Sequence, residues 1–380
     1  MRARRAIRSV SRMTTLAPGP VRRTTPRTVR AGGAESAHAS SYTALAKRIK
    51  AEGLLERRHG WYAMRGMVLA ALLGIGVVLL VLVGRSWWQL LVAVYFSFVF
   101  TQIAYLAHDS AHKQIFTSGP RGEVVSRIIS NLFVGLSYGW WMNKHTRHHA
   151  NPNTIGKDND LLPGAVVFVP DDMDSRRGVT GWLTARQGYY FIPILLLAGI
   201  DLHISAVKAI ARSEPVPHRV QEGLFITVRL LGFSTLVLLL LGPVLGSVFM
   251  AVQLAAFGLY MGGTFAPNHT GMRLIGHGQK VDYLRRQVLT SRNISGGWPV
   301  AKLMGGLNFQ IEHHLFPNMP SVNLKRTRVI VRQYCAELGV EYEENTFFGA
   351  WGIVLRYLHR VGVRHADPFD CPAALAFRTA

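Results

Sequence analysis

Residues 308–317 read Asn-Phe-Gln-Ile-Glu-His-His-Leu-Phe-Pro. On a helix Gln310, His313 and His314 occupy positions i, i+3 and i+4 and share one face, and Pro317 stops the helix just beyond. Three other places carry imidazoles. His108 and His112 are spaced i, i+4. His145, His148 and His149 are spaced i, i+3, i+4. His269 stands in Pro267-Asn268-His269-Thr270. These are eight of the fifteen histidines. Neutral imidazole serves Zn, Cu, Fe and Ni. Eight ligands exceed what one ion takes, whereas two ions with open positions would use them. The zinc-protease pattern His-Glu-x-x-His is absent, because neither of the first two boxes holds a glutamate between its histidines. Asp109 points off the His108 face, so it is a candidate to support a ligand rather than to act as a base. Asp158 and Asp160 follow the second box and are candidates to hydrogen-bond a ligand imidazole. Asn268, beside His269, and Gln310 join them as candidate cofactor-binding residues. Of the seven remaining histidines only His203, next to Asp201, is held open for a role. Singly, each box reads as span-ending, capping or packing residues, and only their combination points to a metal centre.

The elements that must position these residues are apolar and long. Hydrophobic residues make up 49% of the chain, yet its net charge is +22. Such a chain segregates apolar and basic runs, as an integral membrane protein does, whereas a nucleic-acid binder would not alternate its basic residues with membrane-length apolar runs. Four spans are expected, at about 66–84, 87–107, 224–241 and 248–267, forming two tight hairpins. The stretch Val124–Trp141 reads as interfacial. Tyr189–Ile200, which contains Pro193, is too short to span and reads as re-entrant or interfacial. Arg229, near the start of the third span, is expected to snorkel.

Four spans return the chain to its starting side. Arginine and lysine crowd the N-terminal segment, the central loop and the C-terminal third. The positive-inside rule therefore puts both termini and every histidine box in the cytoplasm. Glycosylation at Asn268 or Asn293, both formal acceptors, would contradict that placement. Residues 1–40 read as a basic disordered tail, with a transit peptide or a start at Met13 as alternatives. Residues 42–58 suit a short amphipathic helix. Residues 41–345 form the membrane domain, and 346–380 a C-terminal cytoplasmic helix and tail. Cys335 and Cys371 form no pair motif. The fold class is an all-α integral membrane protein with four transmembrane helices and a cytoplasmic helical cap.

Over roughly Tyr42–Tyr342 the chain resembles the membrane-bound fatty acid desaturases, whose three boxes have the forms His-x-x-x-His, His-x-x-His-His and (His or Gln)-x-x-His-His. Here these are His108–His112, His145–His149 and Gln310–His314. Glutamine at the head of the third box, with Thr290-Ser291-Arg292-Asn293 upstream, is similar to the front-end branch and to related actinobacterial acyl desaturases. The resemblance implies a di-iron centre at the cytoplasmic mouth of a four-helix bundle. There O2 and two electrons serve to remove two hydrogens from a fatty acyl chain. It maps metal ligands onto His108, His112, His145, His148, His149, His313 and His314, and His269 resembles an extra ligand after the fourth span. Gln310 departs from the all-histidine box and leaves one coordination position in doubt.

An insoluble acyl substrate calls for an apolar channel, expected between the spans and the two interfacial stretches, with Trp140 and Trp141 as wall candidates. Arg285, Arg286 and Arg292 are candidates to hold a CoA phosphate or an acidic electron donor. Residues 1–60 lack the His-Pro-Gly-Gly motif of a fused cytochrome b type domain. A separate donor is therefore expected: a ferredoxin, a flavin reductase or a cytochrome b type protein. The expected setting is a bacterial plasma membrane. The rival readings are a hydroxylase or ketolase on the same metal framework and a histidine-based metal transporter. The transporter would need polar groups at mid-membrane, where the spans are nearly bare.

Overall fold

The computed structural model describes residues 32–363 except 118 and 213–215, with side chains from residue 41 onward. The elements in order are α1 (Gly32–Ala51), α2 (His59–Leu82), α3 (Gln89–Ala111), α4 (Pro120–Arg127), a π-helical turn Ile128–Val134, α5 (Tyr138–Ala150), α6 (Gly178–Thr184), α7 (Gln187–Ala211), α8 (Arg219–Leu241) and α9 (Pro243–His269). After these come α10 (Tyr283–Leu289), β1 (Asn293–Ser295), α11 (Gly297–Leu303), α12 (Gln310–Leu315), α13 (Leu324–Glu337), β2 (Glu344–Thr346) and α14 (Phe347–Gly362). The two strands pair in parallel, Ile294 opposite Asn345. Residues 1–31 and 364–380, which include most of the expected tails and Cys371, lie outside the described residues. Helix α1 begins at Gly32, inside the stretch set aside as tail.

Helices α2, α3, α8 and α9 carry the four expected apolar runs and extend past them. Those extensions matter because α3 and α9 end at the histidines. The turn between α8 and α9 needs a left-handed residue, supplied by Gly242 at φ 80°, and Pro243 opens α9 where no amide donor is needed. Phe96, Phe100, Phe249 and Phe257 fill the bundle core. Outward-facing apolar side chains such as Met67, Ile75, Leu82, Leu231 and Leu239 are exposed, as a bilayer-facing surface requires. A second core joins α1, α10, α12 and α13 through Leu45, Leu284, Ile311, Leu315 and Val331.

Two expectations change. The stretch taken as too short to span is part of the 25-residue helix α7, so five helices among the described residues are long and apolar enough to cross a membrane. Helix α7 runs through Pro193 in its second turn and on past Asp201. It meets α9 where Gly199 faces Leu254 and Gly258, backbone against backbone, and a Cβ on either glycine would overlap the other helix. Arg229 does not extend freely to an interface. Its Nε donates to Phe133 O at 2.9 Å, and its guanidinium lies 4.1 Å from the centre of the Phe100 ring. Asn268 and Asn293 are buried, so neither can serve as a glycosylation acceptor in the folded chain.

Candidate metal centre

The site forms where the ends of α3 and α9 meet α5 and α12. Ser137 caps α5, accepting a hydrogen bond from Trp140 N at 3.2 Å, and so sets the register that stacks His145, His148 and His149. Trp141, one turn before His145, stacks on its ring at 4.1 Å. Helix α12 is buried throughout, between β1 and the cap.

All eight predicted imidazoles converge, in two groups. His108, His112, His145, His149 and His313 each offer a ring nitrogen, and these nitrogens lie within 4.8 Å of one another. His148, His269 and His314 do the same. Within the first group the Nε2 atoms of His112 and His145 are 2.8 Å apart, those of His145 and His149 3.0 Å, and those of His149 and His313 3.2 Å. In the second group the Nε2 atoms of His148 and His269 are 3.3 Å apart. Nitrogens bound at about 2.0–2.1 Å to one ion sit roughly 2.9 Å apart in an octahedron and 3.4 Å apart in a tetrahedron, so these spacings match ligand edges. The His149 and His314 rings stack at 4.2 Å and join the groups.

The outer nitrogens show which way the rings face. His148 Nδ1–H donates to Asp158 Oδ2 at 2.9 Å, His269 Nδ1–H to Thr290 O at 2.9 Å, and His314 Nδ1–H to Gln287 Oε1 at 3.1 Å. All three Nε2 atoms are thereby turned inward, where a cation is needed to hold their lone pairs together. His314 Nε2 and His108 Nε2 are buried without a hydrogen-bond partner among the described residues, which fits atoms reserved for a metal. Burial pushes His112, His145, His149, His313 and His314 well below the ordinary imidazole range, aided by neighbouring rings, so they are neutral and able to ligate. His148 differs. Burial opposes its charge, but the hydrogen bond to Asp158 and the charges of Asp160 and Asp158 outweigh it and raise its pKa. A metal ion would have to compete with that proton for the ring.

The remaining candidates separate by contact. Asp158 reaches a histidine directly. Asp160 Oδ2 is 3.3 Å from His148 Nδ1, and Oδ1 is held by Lys144 at 2.8 Å. Gln310 Nε2 is 2.9 Å from His269 Nε2, while its Oε1 accepts from Asn268 Nδ2 at 3.0 Å. Gln310 thus borders the second group, with Asn268 behind it. Asp109 Oδ1 lies 3.5 Å from His108 Nδ1, beside the ring it was expected to support, while Oδ2 accepts from Arg65 at 2.8 Å, Ser321 at 2.8 Å and Tyr62 at 3.3 Å, tying α2 and α3 to the loop after α12. His203 touches none of the eight. Its Nδ1 bonds Gly199 O at 2.6 Å.

The three arginines considered for phosphate or donor binding are engaged in the fold. Arg292 is buried and donates to Pro267 O and Thr270 O, Arg286 donates to Ala150 O, and Arg285 is held by Asp282. Sequence reasoning missed Gln287, which donates to His149 O and accepts from His314, and Asn153, which donates to His269 O. Nothing in their local sequence marks them. Trp141, named above as a wall candidate, does line the cavity, and its stacking on His145 could also have been read from the i−4 spacing.

A cavity of about 380 Å³ opens from the rings His108, His145, His148 and His269. Leu136, Trp140, Phe191, Leu202, Met261 and Phe265 wall it, an apolar slot with a metal-binding head.

The family model described as fatty acid desaturase matches residues 85–346. An "Acyl-lipid (9-3)-desaturase" of Physcomitrium patens is 31% identical over 280 residues, 70% of this chain and 52% of that one. A "Delta(6)-fatty-acid desaturase" of Caenorhabditis elegans is 24% identical over 332 residues, 84% of this chain and 74% of that one. A "Delta(8)-fatty-acid desaturase" of Borago officinalis is 27% identical over 355 residues, 89% and 79% respectively. The chain thus spans about half the length of the Physcomitrium patens protein and about three quarters of the other two.

Proposed function

Because the chain belongs to the fatty acid desaturase family, a family of membrane oxidoreductases, we propose that it inserts a double bond into a fatty acyl chain at a two-iron centre, using O2 and two electrons from a separate donor protein. The observation that carries this reading is the convergence of eight inward-turned imidazoles into two groups at the head of an apolar cavity. His108, His112, His145, His149 and His313 would hold one ion. His148, His269 and His314 would hold the other, with the Gln310 amide beside it. Bound iron would supply the O2 activation that breaking an unactivated C–H bond requires.

The chain's own residues do the rest. Asp158, Thr290 and Gln287 fix three ring orientations. The apolar walls take up the acyl chain and exclude water, and Trp140 and Phe191 set where along it the reactive carbons stop. Names such as delta(6) and delta(8) among the relatives, together with Gln310, support a front-end desaturation. We read the membrane topology as four spans in a bacterial plasma membrane, with the histidines on the cytoplasmic side. Helix α7 then lies across that end. Its start abuts α14 at Leu355 and His359, and Ile210, near its end, touches Gly223 at the start of α8. Glu222 beside it accepts from Ser137 and Gly139, at the start of the histidine helix α5. On the four-span reading, both ends of α7 fall on the side of the membrane assigned to the histidines.

Expression in a host of simple lipid profile tests the function, with fatty acid methyl esters analysed by gas chromatography. A new unsaturated ester is the expected product. A hydroxylated one would move the assignment to a hydroxylase on the same framework. His148→Ala is expected to abolish product and lower bound iron together, and retained activity would count against the site.

A further inference from the structure

A second cavity, of about 620 Å³, is larger than the one at the histidines and touches none of them. It lies between the first half of α2, the middle of α3, helix α11 and the start of α13. Its lower wall is apolar, built by Met64, Val68, Leu69, Leu72 and Phe98. That wall is continuous with the bilayer-facing surface, since Met64 is 59% exposed and Val68 49% exposed. Helix α11 buries no residue, and its Trp298 is 70% exposed beside Leu303, as in a segment resting at a membrane interface. Gln102 fixes α11 over α3 by donating to Lys302 O at 3.1 Å.

The charges at the upper rim do not cancel. Arg65 is paired with Asp109 at 2.8 Å, and Arg328 is paired with Glu344. Lys302 and Lys325 are both exposed, and neither forms an ion pair among the described residues. The groove therefore combines an acyl-sized apolar slot at membrane depth with two uncompensated ammonium groups at its top. That pairing complements one molecule: a lipid with an anionic headgroup. We propose that this groove binds an anionic phospholipid of the surrounding bilayer, its phosphate between Lys302 and Lys325 and an acyl chain along Leu69, Leu72 and Phe98. The site is separate from the reaction chamber and stands whatever reaction the histidines perform. Its floor includes Gly305, Gly306, Asn308 and Phe309, the segment leading directly into the third histidine box. A bound lipid would therefore brace the loop that aims Gln310, His313 and His314.

Native mass spectrometry of the full chain, titrated in detergent with phosphatidylglycerol or phosphatidylcholine, tests the site. One phosphatidylglycerol is expected to bind at least about tenfold more tightly than phosphatidylcholine. Lys302→Gln with Lys325→Gln is expected to weaken phosphatidylglycerol binding roughly 20- to 30-fold, the worth of two lysines at an anionic surface. Phosphatidylcholine binding and metal content should not change. Lys47→Gln with Lys50→Gln removes the same charge from α1 and is expected to leave the preference intact. Equal affinity for the two lipids, or an equal fall in both double variants, would overturn the proposal.

Discussion

Asp158 is the most informative residue to change, because its contacts divide cleanly. Oδ2 accepts from His148 Nδ1 at 2.9 Å and from Asn153 N at 2.8 Å, and Oδ1 accepts from Asp160 N at 3.0 Å, all with the carboxylate buried. Asp158→Asn keeps the shape and removes the charge. If the amide oxygen takes the Oδ2 position, His148 and Asn153 stay bonded, but the new NH2 then faces Asp160 N–H, donor against donor. Reversing the amide loses the other two bonds instead. Either way one charge-assisted bond weakens and at least one buried donor is orphaned, a cost of about 2–4 kcal/mol. The functional effect is sharper. The carboxylate orients the His148 ring and makes it a better ligand, and losing such a partner lowers metal affinity by about 10- to 100-fold. Only the group of His148, His269 and His314 should suffer. If the centre holds the two ions proposed above, dialysis against graded chelator, with iron counted by plasma emission spectrometry, should show the variant losing one of them at a chelator concentration the parent tolerates, with product falling in step. Asp160→Asn should cost much less, because the Asp160 side chain is 44% exposed and its closest partner is Lys144. If Asp158→Asn holds both ions as the parent does and remains active, the assignment of His148 to the second ion is wrong.

Three further outcomes follow from the same geometry. Metal-free protein should lose thermal stability as pH falls below about 6.5. The unfolded histidines take up protons there, whereas the buried rings of His112, His145, His149, His313 and His314 resist, at about 1.4 kcal/mol per pH unit for each ring that stays neutral. A melting temperature that is flat from pH 7 to 5.5 would contradict that burial. Cys335 is buried and its thiol is pushed up to about 12 by desolvation and by Glu312, so its peptide should stay unalkylated by iodoacetamide at pH 8 until denaturant is added. Gly258→Leu should force α7 off α9 and destabilise the fold by at least about 1–3 kcal/mol, seen as aggregation on size-exclusion chromatography, whereas Gly232→Leu, where a Cβ meets open space, should elute as the parent does.

Sequence spacing alone established that Gln310, His313 and His314 share a face, that His108 pairs with His112, and that the box of His145 to His149 stacks on one helix. These are properties of a 3.6-residue period and survive any tertiary arrangement. Hydropathy likewise located the bundle, because a bilayer imposes its length on each span. What local pattern could not supply was the partition of eight rings into five and three, which depends on how α5 enters between the ends of α3 and α9. Helix α7 was misjudged in length for a similar reason. Pro193 and Asp201 break an apolar run in sequence, yet packing against α9 through Gly199 and Gly258 carries the helix past both. Gln287 and Asn153 were invisible, since their roles rest on contacts far from them in sequence: Gln287 with His149 and His314, Asn153 with His269. Arg292 shows the converse. Its charge suggested a surface site, but only the folded chain reveals two carbonyl oxygens, of Pro267 and Thr270, turned toward it in the interior. Periodicity could name the candidate ligands, whereas their grouping and support arise from segments brought together by the fold.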